Sequence, residues 1–215
     1  NFKDCLPDPK KVKEIKKDLE SKGVKYIYSN WIDFLGSPKT KPMPISDFED
    51  LCSGKGPQFA VHSVSFVPEL TPADNDQIPV PDLDSLVICP WDKTCAWVFA
   101  DLWWNDKPYD VCPRQTLKRQ IHKNAQSDLK FYVGIEPEFF VMKWEDGKPV
   151  KAIDNDPMPL RRQAFGYDAE YSIDGMNFLK EIIDILNDDL HWDLHDVVAE
   201  GAYGQYELDF GYTDM

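Results

Sequence analysis

Two short segments place carboxylates at alternate positions against apolar neighbours, and few folds accommodate that pattern. Glu136 and Glu138 sit in Gly134-Ile-Glu-Pro-Glu-Phe-Phe140, while Gln205, Glu207 and Asp209 alternate with Tyr206, Leu208 and Phe210. Alternate side chains of a strand point to opposite faces, so each segment reads as a strand with an apolar face turned to a core and its acids gathered on the other. Glu200 opens the run Glu200-Gly-Ala-Tyr-Gly-Gln-Tyr-Glu207 and adds a further acid. Carboxylates crowded beside an apolar sheet repel one another unless a cation neutralises them, and hard oxygen donors suit Mg²⁺ or Mn²⁺. The pattern therefore predicts a divalent-metal site built from Glu136, Glu138, Glu200 and Glu207.

At 215 residues, 42% of them hydrophobic, the chain is long enough to bury a core and to hold one or two domains. Its net charge of −14 argues against nucleic acid or an anionic membrane as the main partner, because either needs clustered Lys and Arg. The Lys-rich stretch from Lys10 to Lys25 is interrupted by Glu14, Asp18 and Glu20, which fits a solvated helix face. Cys5, Cys52, Cys89, Cys95 and Cys112 lack CxxC spacing, so reduced thiols and a cytoplasmic protein are expected. No run approaches 18 apolar residues, and neither a membrane span nor a signal peptide is expected. His62, His122, His191 and His195 have no mutual metal-ligand spacing.

Along the chain, Val12, Ile15 and Leu19 predict a helix over 9–22 that stops at Gly23. A strand over 24–34, a turn at Gly36 and a return over 39–44 predict a hairpin, and Ser46 is expected to cap a short helix over 47–52. Further strands are expected at 59–67, 85–88 and 95–101. Residues 1–110 then form a small, mostly β domain, and 111–215 open a second one. Within it, 117–125 reads as a helix, 131–142 as the first carboxylate strand and 144–171 as a long irregular excursion. Leu179, Ile182, Ile183, Leu186 and Leu190 mark a helix over 173–190, and 193–198 with 204–210 reads as the strand pair that delivers Glu200 and Glu207.

These residues resemble the glutamine synthetases and their relatives that join glutamate to ammonia or another amine. Gly134-Ile-Glu-Pro-Glu-Phe-Phe140 is similar to that family's first metal strand, and Glu200-x-x-x-Gly204-Gln205-x-Glu207 to its second. Upstream, Asp33-Phe-Leu-Gly36 followed by Lys41-Pro-Met-Pro44 and Phe48 resembles the family's N-terminal β-grasp hairpin. Pro81-Asp82 and Cys112-Pro-Arg114 with Leu117-Lys118-Arg119 follow in matching order. The resemblance implies an α+β chain: an N-terminal β-grasp domain followed by the first part of a barrel-like catalytic α/β domain.

It further implies two metal ions, one held by Glu138, Glu200 and Glu207 and the second partly by Glu136. ATP would phosphorylate the γ-carboxylate of glutamate, and ammonia or a small amine would displace phosphate from the γ-glutamyl phosphate. Subunits of the family assemble into rings, here expected as a homododecamer or decamer, in which the β-grasp domain of one subunit reaches its neighbour's site; an aspartate helps there with the ammonium. Asp76 occupies that place by its spacing from Pro81-Asp82, although Ala73-Asp-Asn-Asp76 departs from the usual Ser-Asp context. The position before Glu200, often histidine in the ammonia branch, is Ala199, and the amine is left open. Family members are about twice this long, so these residues alone are expected to be inactive.

Other readings stand beside this one. Asp76 belongs equally to a solvated acidic loop with Asp74, Asp82 and Asp84, and Arg114 reads best as an ion-pair partner at the domain junction. Gln205 either orients a ligand or caps a strand. Phe210 and Tyr212 stand where an adenine could stack, with core packing as the plainer role. Paired acids also serve glycosidases, yet acids at i and i+2 on one strand suit metals better. A non-catalytic relative that keeps the fold and the ring is the remaining alternative, with Ala199 and the chain length as its support.

Overall fold

The computed structural model describes residues 2–65, 69–127, 129–152, 166–202 and 204–214. They form two compact units, 1–129 and 130–215, each mixing helix and sheet. The chain order of the first unit is α1 (Pro9–Ser21), β1 (Tyr26–Ile32), β2 (Pro38–Pro44), α2 (Phe48–Cys52), β3 (Phe59–Ala60), α3 (His62–Ser65), β4 (Asp76–Pro81), β5 (Val87–Ile88), β6 (Cys95–Trp104), β7 (Lys107–Pro108) and α4 (Pro113–Asn124). Its sheet runs β2-β1-β6-β4-β3, with β5 and β7 also paired to β6. The second unit follows as β8 (Tyr132–Val133), β9 (Glu138–Phe140), β10 (Met142–Glu145), β11 (Lys148–Lys151), α5 (Ala169–Asp184), β12 (Leu194–Ala199), β13 (Gln205–Phe210) and β14 (Thr213–Asp214).

Local chemistry sets the ends of α1. Asp8 accepts a hydrogen bond from the Lys10 amide at 3.0 Å, and Pro9 begins the helix where its missing N–H is not needed. Gly23, at φ +87°, reverses the chain, and the Val24 amide closes back on the Leu19 carbonyl at 3.0 Å. Val12 and Leu19 then bury against Ile27, Phe48, Leu51, Ala96 and Val98. Each such large aliphatic side chain contributes about 1.5–3 kcal/mol.

Several elements differ from the sequence expectation for local reasons. Ser46 makes no cap; its hydroxyl donates to Asp47, and a 3₁₀ turn over Ile45–Asp47 precedes α2. The expected strand over 59–67 reduces to β3 followed by α3, with 66 and 67 outside the described residues. β4 was not expected because Pro79 and Pro81 speak against a strand. It nonetheless pairs antiparallel with β6, from Ile78↔Trp103 to Pro81↔Ala100. The excursion contains a hairpin: Asp146 and Gly147, at φ +49° and +75°, form a two-residue turn that joins β10 to β11. Residues 153–165 of that excursion lie outside the described residues.

α4 packs with the first unit. Arg114 pairs with Asp82 at 2.6 Å and Asp101 at 3.0 Å, and Lys118 pairs with Asp82 at 3.3 Å and with Asp101 at 2.5 Å. Two cations thus share two acids from different parts of the chain, which gives Arg114 the ion-pair role expected of it.

In the second unit, α5 covers one face of the three-stranded sheet β12-β13-β9. Tyr206 is the centre of that contact, 1% exposed, with its ring against the backbone of Gly175 and its hydroxyl donating to the Tyr171 carbonyl at 3.4 Å. A Cβ on Gly175 would stand 2.4 Å from the Tyr206 ring. In an open helix Gly→Ala stabilises by about 1 kcal/mol, but Gly175→Ala is expected to destabilise this unit by about 1–3 kcal/mol through overpacking. Urea unfolding checks this; unchanged or increased stability would mean that the ring does not depend on that contact.

Candidate metal centre

The face of the β12-β13-β9 sheet opposite α5 carries the acids. Antiparallel pairing aligns Val198↔Glu207 and Glu207↔Glu138, and likewise Asp196↔Asp209. Beyond β9 the same register continues through single bonds, from the Leu208 amide to the Pro137 carbonyl at 3.2 Å and from the Phe210 amide to the Ile135 carbonyl at 3.3 Å. Pro137 has no N–H to return, and this is why the expected strand over 131–142 breaks into β8 and β9. That register sets Glu136 opposite Asp209. Both 138/207 and 136/209 are then non-hydrogen-bonded pairs, the kind whose side chains stand closest, about 4.5–5.5 Å between Cβ atoms.

Glu200 reaches the same face through the hairpin loop. Its amide donates to the Gln205 carbonyl at 3.0 Å, and Gly204, at φ +72°, turns the chain between them; a Cβ there would meet the Val141 carbonyl at 3.0 Å. Three rows result across one face: Asp196, Asp209 and Glu136; Val198, Glu207 and Glu138; Glu200, Gln205 and Phe140. Gln205 donates from Nε2 to Glu138 Oε2 at 2.6 Å, so it orients a carboxylate.

Electrostatics register the crowding. Glu207 is pushed up from 4.5 to about 7, first by its hydrogen bond with Glu200, then by burial and by the charges of Asp209, Glu200 and Glu138. Among the described residues, no Lys or Arg forms a salt bridge with any of these acids, and Asp209 Oδ1 is buried without a hydrogen-bond partner. No three His, Cys, Asp or Glu side chains among the described residues are disposed to hold an ion as they stand. The donor set nonetheless fits a hard divalent cation: all-oxygen, anionic and, among the described residues, without counter-charge.

The other expected site residues do not belong to this face of the β12-β13-β9 sheet. Asp76 begins β4 in the first unit, exposed and opposite Ala60. Alternation puts Phe210 with Tyr206 and Leu208 on the α5 side of β13, where its ring meets Trp192 edge-on at 6.2 Å. Tyr212 lies beyond the strand, 77% exposed, edge-on to Tyr132 at 6.3 Å. Both line a cavity of about 690 Å³ with Ile135, Pro137, Trp192 and Leu208. Ala199 is buried beside Tyr171, Leu179 and Tyr206, and His195 pairs with Asp193 at 3.0 Å. The sequence reading passed over Asp209 and Asp196 as site acids. Asp209 shares Glu207's parity and was legible; Asp196 follows a register shift after Leu194, and parity along β12 alone could not place it.

Residues 110–215 match the family described as glutamine synthetase, catalytic domain. The chain is 32% identical over 193 residues to a glutamine synthetase of Rhizobium meliloti (strain 1021), covering 90% of this chain and 42% of that protein. It is 27% identical over 206 residues to a glutamate–methylamine ligase of Methyloversatilis universalis, covering 94% of this chain and 44% of that protein. Among solved structures, a GmaS/ADP complex superposes with a TM-score of 0.79 at 27% identity, over 93% of this chain and 44% of that one. The chain thus spans less than half the length of these relatives. No helix of the described residues is long and apolar enough to cross a membrane.

Because folded Glu207 holds a proton that the unfolded chain releases at lower pH, its contribution to stability falls as pH rises from 4.5 to about 7 and is level above that. Glu207→Gln removes the repelling charge. In metal-free buffer the variant is expected to melt at the same temperature as the wild type near pH 4.5 and at a higher temperature at pH 8. Equal melting at pH 8 would contradict the crowding.

Proposed function

From the premise that the chain belongs, through residues 110–215, to the glutamine synthetase family, we propose that it forms the first part of an ATP-dependent carbon–nitrogen ligase. The reaction joins ammonia or a small amine to the γ-carboxylate of glutamate through a γ-glutamyl phosphate. The observation that carries this reading is the shared face of Glu138, Glu200 and Glu207, on which Glu207 is pushed up to about 7 by its neighbours. Relatives named glutamine synthetase and glutamate–methylamine ligase support the reaction class, and both amines are kept.

Glu138, Glu200 and Glu207 would hold one Mg²⁺ or Mn²⁺, and Glu136, with Asp209 opposite, would contribute to a second. The ions would supply charge neutralisation as a phosphoryl group passes between two anions. The protein's own part is positional. Gln205 fixes one oxygen of Glu138, the Gly201 amide donates to Glu200 at 3.2 Å, and α5 packs against the opposite face of β13. Tyr212, exposed at the cavity rim, is our choice for contact with the adenine of ATP, and Phe210 backs that wall from the α5 side.

The sheet before residue 111 is assigned as the β-grasp domain and the residues from 111 onward as the catalytic domain, in a cytoplasmic homo-oligomeric ring. Asp76, exposed at the start of β4, would serve the amine in a neighbouring subunit's site. The alternative of a non-catalytic relative drew on Ala199. Burial against Tyr206 gives that position a packing role, so the departure there does not weaken the ligase reading.

The test is phosphate release from ATP with Mg²⁺ and glutamate, by a polypeptide that also carries the counterpart of the relatives' remaining length. No amine, ammonium, methylamine and a larger amine are compared. Amine-dependent release is expected, reduced about 100-fold or more by Glu138→Ala with the fold retained. Retained turnover in that variant would sink the site assignment, and absent turnover with every amine would sink the ligase.

A further inference from the structure

β5 and β6 form a hairpin whose last pairs are Val87↔Trp97 and Ile88↔Ala96. The next residues in that register are Cys89 and Cys95, and the Cys89 amide donates to the Cys95 carbonyl at 2.9 Å. Directly opposed residues share a face of the sheet, and antiparallel partners stand about 4.5–5.5 Å apart at Cα. That separation lies within the roughly 4.4–6.8 Å range that a disulfide spans. Both residues are buried, at 1% and 5% exposure, and both thiols are free. Cys52 packs in the core cluster of Ala96 and Ile88, which strand alternation turns to the face opposite Cys89 and Cys95, and Cys112 packs with Trp31 and Val61 in a second cluster.

Cys95 is also held in position. Its thiol donates to Asp92 Oδ2 at 3.3 Å, and Asp92 is fixed by the Thr94 amide at 3.0 Å and hydroxyl at 2.6 Å. The Thr94 carbonyl in turn receives the Lys25 and Tyr26 amides at 2.7 and 3.1 Å, tying this loop to the start of β1. Burial is the first cause raising the Cys89 thiol, and the charge of Cys95 is the second, so the two sulfurs stand in each other's field.

We propose that Cys89 and Cys95 are a redox pair that closes to a reversible intrachain disulfide under a low-molecular-weight disulfide such as oxidised glutathione. One thiolate attacks the glutathione disulfide and releases a glutathione thiolate. The second cysteine attacks the mixed disulfide and releases another, so two protein thiols become one S–S bond and one disulfide becomes two thiols, the two protein protons passing to the departing glutathione thiolates. Access comes through fraying of β5, which is two residues long and, among the described residues, pairs with β6 alone. The bond would pin the loop that carries Trp91, 62% exposed and edge-on to Trp97 at 5.3 Å, where β1, β5 and β6 meet.

The 215-residue chain, folded by circular dichroism, is equilibrated at graded ratios of reduced to oxidised glutathione, alkylated and mapped without reduction. Fragmentation separates Cys95 from Cys112. The expected product is a Cys89–Cys95 cross-link 2 Da lighter than its parts, lost in Cys95→Ser and reversed by dithiothreitol, with melting raised by a few degrees in the oxidised form. Separate alkylation of Cys89 and Cys95 at every ratio that glutathionylates exposed Cys5 would overturn the pair, and so would a cross-link of either to Cys112. If Cys95→Ser does not fold, the wild-type map alone decides.

Discussion

Repulsion among carboxylates on one face of a three-stranded sheet is the constraint from which the second unit takes its form. A like-charged surface cannot choose its own geometry; something must hold it against its own field. Here that support is the opposite face, where α5 lays Tyr171, Met176, Phe178 and Leu179 over Tyr206, Phe139 and Val197. Tyr206 and Glu207 are neighbours in sequence with opposite environments, and the pleat of β13 makes one the anchor for the other. Rigid backing beneath an unneutralised charge cluster is what a metal site needs before its ion arrives.

The backbone details serve the same end. Pro137 interrupts the ladder yet leaves its carbonyl to the Leu208 amide, so Glu136 and Glu138 stay in register with Asp209 and Glu207 although the segment is no longer a continuous strand. Gly204 accepts a positive φ that lets the hairpin return Gln205 beside Glu200. Gly175 removes the one side chain that would lift Tyr206 off the helix. Each is a small residue or a missing donor at a place where the ordinary residue would displace a carboxylate.

Much of this was legible from pattern alone. The alternation of Gln205, Glu207 and Asp209 with Tyr206 and Leu208 foretold both the strand and its two faces, because a period of two has only one reading at that length. The Val12, Ile15, Leu19 stripe foretold α1 for the corresponding reason. Pairing across the sequence was not legible. No local signal says that Arg114 and Lys118 meet Asp82 and Asp101, yet those contacts carry α4 into the first compact unit, while the family match begins at residue 110. β4 was hidden by its prolines, and the β10–β11 hairpin by a stretch rich in Asp, Pro and Gly without periodicity, in which the Asp146-Gly147 turn signal did not stand out. Phe210 was placed near the site by its sequence distance from Glu207, whereas strand parity turns it to the other face.

The central claim is that this acidic face binds a divalent cation through Glu138, Glu200 and Glu207. Its most direct test is Mn²⁺ titration of the chain followed by the electron paramagnetic resonance of the free ion. The signal is expected to be suppressed until the site fills, and this suppression is lost in Glu207→Ala and in Glu138→Ala while circular dichroism is unchanged. Equal Mn²⁺ uptake by the wild type and both variants, or no uptake by the folded wild type, would contradict it.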